Sequence, residues 1–254
     1  MSGIKATELG AIAINATLDS TGLPSEQIRN VIDEVVLGNV CPAGLGQNPA
    51  RQASLSAKIP INVPCTTVNK VCASGMKTVT YGAQSIALGL ADTVVAGGFE
   101  NMSGVPFYVT KHRTGHSFGN QQLIDGLAYD GLTCVYNNVA MGLCGEKTAS
   151  QFDIDRATQD EFAIGSYERT INSIKTGLFR DEIAPVSISE KEGTVTEDEE
   201  PKKFNKEKML KLKPVFSKTG SITAANASKI NDGGAAIRNF PYESHCNNIF
   251  SLDV

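Results

Sequence analysis

Apolar residues near the start of the chain recur at helical spacing. Leu9, Ile12, Ala16 and Leu18 lie close to a 3.6-residue period, and Gly22-Leu23-Pro24 ends the run. The spacing then shortens. "IDEVVLGNV" (Ile32 to Val40) is a β-rich run closed by a glycine turn, which predicts a strand. A Gly/Pro loop and a short helix fit the residues before Pro60, and "VPCTTVN" predicts a second strand. From Cys72 the period lengthens again. Cys72, Met76, Val79, Ala83, Ile86 and Leu90 step by four and three and form one continuous stripe, as a helix buried along one face would. "DTVVAGGFENMSGVP" reads as a third, buried strand that leaves through glycines. Strands and helices alternating at this spacing predict a layered α/β domain, its sheet covered by helices.

After about Lys111 the pattern loosens. "KHRTGHSFGNQQLIDGLAYDGLTCVYNN" is polar and aperiodic, and its histidines, His112 and His116, read as surface-loop residues. A strong helix follows, with Asp155 as its N-cap, a stripe of Ile164, Tyr167, Ile171 and Ile174, and Gly177 as its stop. "EKEGTVTEDEEPKKFNKEKMLKLKP" is a charge-dense connector, after which "GSITAANASKINDGGAAI" returns to small and apolar residues. The pattern divides the chain into a core at 1–111, an inserted, more polar subdomain at 112–216, a return to the core at 217–237 and a divergent, aperiodic tail at 238–254.

Composition narrows the function classes. The chain has 254 residues, is 41% hydrophobic and 20% charged, and carries a net charge of −4. That is ordinary for a globular chain and offers no basic excess for a nucleic acid. No apolar run reaches the roughly 18 residues that a membrane span needs. The N-terminal residues have neither a signal-peptide nor a transit-peptide pattern. Six cysteines at irregular spacing, with no CxxC pair, read as reduced thiols rather than a disulfide framework or a zinc site.

Cys72 stands apart from the other cysteines. At the first turn of a helix a thiol meets unpaired N–H groups and the positive end of the macrodipole, both of which favour the thiolate. Ala73, Ser74 and Gly75 would leave room for an acyl group and expose N–H donors. The alternative is a structural cysteine on the stripe that it begins, since free cysteine is among the most buried residues. Cys65 reads as a strand residue and Cys41 as a loop thiol.

"NKVCASGMK", "AGGFENMSGVP" and "TAANASKINDGGAA" together closely resemble the thiolase family, and within it the acetyl-CoA acetyltransferases of the mitochondrial acetoacetyl-CoA type. "GNV…GQNPARQA", "YDGLTCVYNN" and "MGLCGEK" stay in register, so the resemblance runs from about Ala6 to about Ala236. It implies a thiolase-like α/β fold with an inserted α/β loop subdomain, and it makes Cys72 the residue that takes an acyl group from a thioester. A second acetyl-CoA would then condense with the acyl-enzyme, the reverse reaction being thiolysis of acetoacetyl-CoA. Coenzyme A contacts carry over to Tyr167, Lys203, Phe204, Asn205, Lys208 and Ser228. By themselves Lys203 and Lys208 would read as a solvated charge run and Tyr167 as core. A potassium ion carries over to Tyr167 and the backbone carbonyls of Ala224, Ala225 and Ala227. A dimer or tetramer of identical chains is implied, and a mitochondrial location, with a cytoplasmic one otherwise.

Departures from the family pattern set a further expectation. The Gly-His-Pro histidine, the Cys-x-Gly cysteine and the Asn-Glu-Ala-Phe segment of complete thiolases do not occur in the 254 residues. His245 and Cys246, in "ESHCN", match no family motif. Ala140 stands where histidine often precedes the Met-Gly pair. The expectation is a thiolase N-terminal domain without its C-terminal partner, its sheet lacking strands at both ends, impaired in the full reaction. The alternative is a non-catalytic thiolase-like subunit that binds coenzyme A or dimerises. The quoted motifs speak against a β-ketoacyl synthase.

Overall fold

The computed structural model describes residues 1, 3–189 and 193–241. In chain order its first unit contains α1 (Ala6–Asp19), α2 (Ser25–Asn30), β1 (Glu34–Gly38), α3 (Pro49–Ser56), β2 (Cys65–Val68), α4 (Ser74–Ala87), β3 (Val94–Asn101), β4 (Phe107–Tyr108) and β5 (Ile124–Asp125). The second unit, residues 132–230, contains β6 (Thr133–Cys134), β7 (Val139–Ala140), α5 (Met141–Gln151), α6 (Arg156–Thr176), β8 (Val186–Ser189), β9 (Gly193–Val195) and α7 (Lys206–Leu210). The chain then returns to the first unit through β10 (Asp232–Asn239).

A four-stranded mixed sheet, in the order β10-β3-β1-β2, organises the first unit. β1, β2 and β3 are parallel, and β10 runs antiparallel to β3 from Asp232 opposite Asn101 to Asn239 opposite Val94. This is the layered α/β architecture that the sequence predicts. Side chains alternate along β1, so Val35 and Leu37 enter one layer and Val36 the other. The larger layer joins Ile14 and Leu18 of α1, Ile28 of α2 and Ala50 and Ala53 of α3 to Val35, Leu37, Val95 and Phe99. Full burial of each large aliphatic side chain there contributes about 1.5–3 kcal/mol.

The other face carries α4, and here the expected stripe is met only in part: Val79 and Ile86 are half-buried, Ile86 packing against the Val36–Val94 cluster, but the rest of it is not. The buried residues of α4 are Ser74, Thr78 and Gly82, spaced by four, whereas Met76 and Leu90 are each 75% exposed and Cys72 and Ala83 are exposed too. Small residues face the sheet because the helix lies almost on the strand backbones. A Cβ on Gly38 would come within 2.8 Å of Ser74 and Gly75, and one on Gly75 within 3.8 Å of the Gly97 backbone. Thr78 fastens the approach, its hydroxyl accepting the Gly97 N–H at 2.9 Å.

Three boundaries differ from the sequence reading. The stretch 112–131 belongs with the first unit, where Leu127 is buried and the Tyr108 hydroxyl donates to Asp130 at 2.5 Å. Residues 217–230 stay with the second unit, where Glu146 accepts the Ser221 and Ile222 N–H groups, both at 2.9 Å. β10 also continues two residues beyond 237, so Arg238 and Asn239 pair in the sheet rather than opening the tail. His245 and Cys246 lie outside the described residues.

Candidate active site

Cys72 lies on the turn that joins β2 to α4 in the first unit. The helix begins at Ser74 with Ala73 as its N-cap, so Cys72 precedes the helix instead of opening its first turn. Val71 is the reason. Its φ is +50°, a left-handed conformation that a β-branched residue rarely adopts and that costs on the order of 1–3 kcal/mol. Surrounding bonds hold it there. Asn69 Oδ1 accepts the Val71 N–H at 2.9 Å, while the buried Ser74 hydroxyl accepts the Lys70 N–H at 2.8 Å and donates to the Val71 carbonyl at 2.6 Å. The turn also uses two of the expected donors, because Ala73 N–H bonds the Lys70 carbonyl and Ser74 N–H the Val71 carbonyl. The result is an exposed thiol on a strained strand-to-helix turn, a geometry that presents a nucleophile to a bound electrophile.

The other thiols occupy different surroundings. Cys41 is a loop thiol, as expected, and is buried there, and burial, then Glu100 and Asp130, push it up to about 11. Glu100, from the quoted "AGGFENMS", accepts bonds from the Val40 and Cys41 N–H groups and the Asn39 side chain. Burial nevertheless raises its pKa. Cys65 opens β2 as expected. A groove of about 310 Å³ between β1, β2 and the open side of α4 is lined by Glu34, Val36, Thr66, Tyr81, Leu88 and Leu90 among others, and by none of the candidate site residues.

In the second unit the structure gathers most of the residues assigned to coenzyme A. Asp155 caps α6 by accepting the Thr158 N–H at 2.8 Å, and Gly177 ends it at φ +72°, both as predicted. Tyr167, on this helix, stacks on Phe204 with ring centroids 5.0 Å apart and planes 17° from parallel. Its hydroxyl donates to Glu200 at 2.9 Å, and Lys203 reaches the same carboxylate at 3.3 Å. Burial and then the Glu200 bond push Tyr167 up to about 12. For Glu200 itself burial opposes ionisation, but Tyr167, Lys203 and Lys229 outweigh it and hold the carboxyl below the usual range. Asn205 caps α7 by accepting the Lys208 N–H at 2.9 Å. Ser228 is exposed, next to Lys229.

The "TAANAS" segment is pinned by carboxylates that the sequence reading did not single out. Asn226 donates to buried Asp160 at 2.9 Å and accepts the Thr223 N–H at 2.7 Å, and Arg156 holds Asp160 at 2.7 Å. Lys229 also went unnoticed. Its ammonium is bonded to the Ala224 carbonyl and lies 3.3 Å from that of Ala227 and 3.5 Å from Glu200. Two of the carbonyls assigned to potassium, those of Ala224 and Ala227, therefore face a side-chain ammonium. Glu200 and Lys229 left a signal only as charges within a polar run and a small-residue loop, which does not separate them from solvated neighbours.

The chain is similar to known proteins over nearly its whole length. It is 48% identical over 241 residues to acetyl-CoA acetyltransferase of Schizosaccharomyces pombe, covering 93% of this chain and 60% of the relative. To rat mitochondrial acetyl-CoA acetyltransferase it is 48% identical over 236 residues, 91% of this chain and 54% of that protein. The crystal structure of Acat5 thiolase from Ascaris suum in complex with coenzyme A superposes with a TM-score of 0.87 at 43% identity, over 95% of this chain and 61% of that one. The chain thus spans 54–61% of the length of these relatives. With the thiolase N-terminal domain family matching residues 1–238, the mixed sheet, the strained turn at Cys72 and the coenzyme-bound neighbour meet in one conclusion: the chain belongs to the thiolase family and carries its N-terminal domain.

Proposed function

We propose that the chain serves the acetyl-CoA C-acetyltransferase reaction, with Cys72 as the acyl acceptor. The observation that carries this reading is an exposed cysteine on a strained β2–α4 turn, at the position where the thiolase motif places its nucleophile. As its thiolate, Cys72 Sγ attacks the carbonyl carbon of acetyl-CoA. The carbon–sulfur bond to coenzyme A breaks, the coenzyme leaves as a thiolate, and the acetyl group remains on Cys72 as a thioester. Condensation with a second acetyl-CoA needs a base and a second acid/base. The Gly-His-Pro and Cys-x-Gly motifs that supply them in complete thiolases are not among these 254 residues. On this reading the residues by themselves accept acetyl and condense poorly, because groups that act as a unit fail together.

The stacked pair Tyr167–Phe204, with Lys203, Asn205, Lys208 and Ser228, is assigned to coenzyme A. Its aromatic platform suits the adenine ring, and a lysine-bearing segment suits the phosphates. That the Ascaris relative was solved with coenzyme A supports the ligand. Association of identical chains and a mitochondrial location belong to the same proposal, the latter on the rat relative.

Incubation with acetyl-CoA followed by intact mass spectrometry tests the reading. One acetyl group added to the native chain and none to Cys72→Ala is the expected result. A folded chain that binds coenzyme A without being acetylated would favour the non-catalytic subunit instead, a reading for which the exposed apolar side of α4 offers a pairing surface.

A further inference from the structure

We propose that Lys229 is this protein's resident monovalent cation, a tethered ammonium that takes the place of a free potassium ion in the "AANAS" loop. Potassium is assigned by resemblance to Tyr167, Ala224, Ala225 and Ala227, and the structure puts a side-chain charge among those groups. The Lys229 ammonium is bonded to the Ala224 carbonyl, is 3.3 Å from the Ala227 carbonyl and is 3.5 Å from Glu200 Oε1. The same Glu200 oxygen accepts the Tyr167 hydroxyl at 2.9 Å. A lysine ammonium has three N–H donors, and two carbonyls and a carboxylate are acceptors suited to them. Its side chain is only 23% exposed.

Charge and tethering both favour the side chain over an ion. A second monovalent cation on these carbonyls would touch the ammonium, and like charges at that distance repel strongly where water is partly excluded. A free ion must also be captured from solution, whereas Lys229 lies two residues from Ala227 and is present at a fixed, high effective concentration. Lys229 is therefore a positioning residue. It ties the Ala224 and Ala227 carbonyls to Glu200, and Glu200 in turn orients Tyr167 against Phe204. The inference does not depend on what the platform binds, because its first readout is the stability of the unliganded chain.

Thermal unfolding at equal ionic strength in potassium, sodium and choline chloride provides the test. The native chain is expected to melt at the same temperature in all three salts. Lys229→Thr, which removes the ammonium and leaves the carbonyls, is expected to melt lower in choline by roughly 2–4 °C or more and to recover with added potassium. Recovery by potassium is a response that loss of ordinary packing would not give. A native chain stabilised by potassium over choline, or a Lys229→Thr chain indifferent to potassium, overturns the proposal. Should Lys229→Thr fail to fold, equilibrium dialysis of the native chain with thallium(I) as a potassium mimic still decides. Absence of saturable binding supports a filled site, and saturable uptake of a single ion overturns it.

Discussion

Thr78 shows how much of the first unit rests on single side chains. It is buried on the sheet face of α4, and its hydroxyl is the acceptor for the Gly97 N–H of β3. Thr78→Val keeps the volume and removes that acceptor, leaving a buried donor without this partner. A loss of about 1–3 kcal/mol is expected, read from the shift of a urea unfolding midpoint. Glu146 does comparable work in the second unit by accepting two backbone N–H groups and the Ser221 hydroxyl. Burial opposes its ionisation, but those bonds prevail and set its folded pKa below the reference 4.5. A depressed carboxylate stabilises the fold above its unfolded pKa and loses that contribution as pH falls through the folded one. Stability measured against pH should therefore fall below about 4.5, and Glu146→Gln should flatten that limb. Neither role was legible in the sequence. A threonine on a helix and a glutamate in "CGEK" look like surface residues until the chain segments they bond, 19 and 75 residues away, are brought to them.

At the scale of elements, local signals succeeded where the chain decides its own ends. Asp155 and Gly177 were visible as cap and stop because each acts on its own helix. Asp155→Ala should cost about 1 kcal/mol, measured by chemical denaturation. α4 gives the opposite lesson. Its apolar stripe is regular, yet the face that meets the sheet is the one with Ser74, Thr78 and Gly82. Periodicity identifies an apolar face but not what lies opposite, and close approach to glycine-lined strands favours small residues over large ones. Leu90→Ser should accordingly change the stability of this chain by less than about 0.5 kcal/mol in the same assay. The site turn combines both cases. "NKVCASG" marked Cys72, but its place before the helix depended on Val71 being held left-handed by Asn69 and Ser74.

For the whole molecule the decisive fact is that the first unit is discontinuous. β10 returns after the second unit to close the sheet beside β3, lies against α1, and receives the Thr17 hydroxyl on the Ala236 carbonyl at 2.7 Å. A Cβ on Gly234 would come within 2.8 Å of the Leu9 carbonyl, so helix and strand meet at backbone distance. A chain ending at Ile230 should consequently lose the cooperative unfolding transition of the first unit, followed by near-ultraviolet circular dichroism. The sequence by itself determined the alternation of strands and helices, the α6 caps and the motif around Cys72, since each is written in neighbouring residues. Tertiary structure alone decided which side of α4 is buried, where the two units divide, and that Glu200 and Lys229 join Tyr167 and the Ala224 and Ala227 carbonyls. The physical reason is range: spacing along a chain encodes contacts a few residues apart, whereas a charge finds partners tens of residues away only after the backbone has brought them within bonding distance.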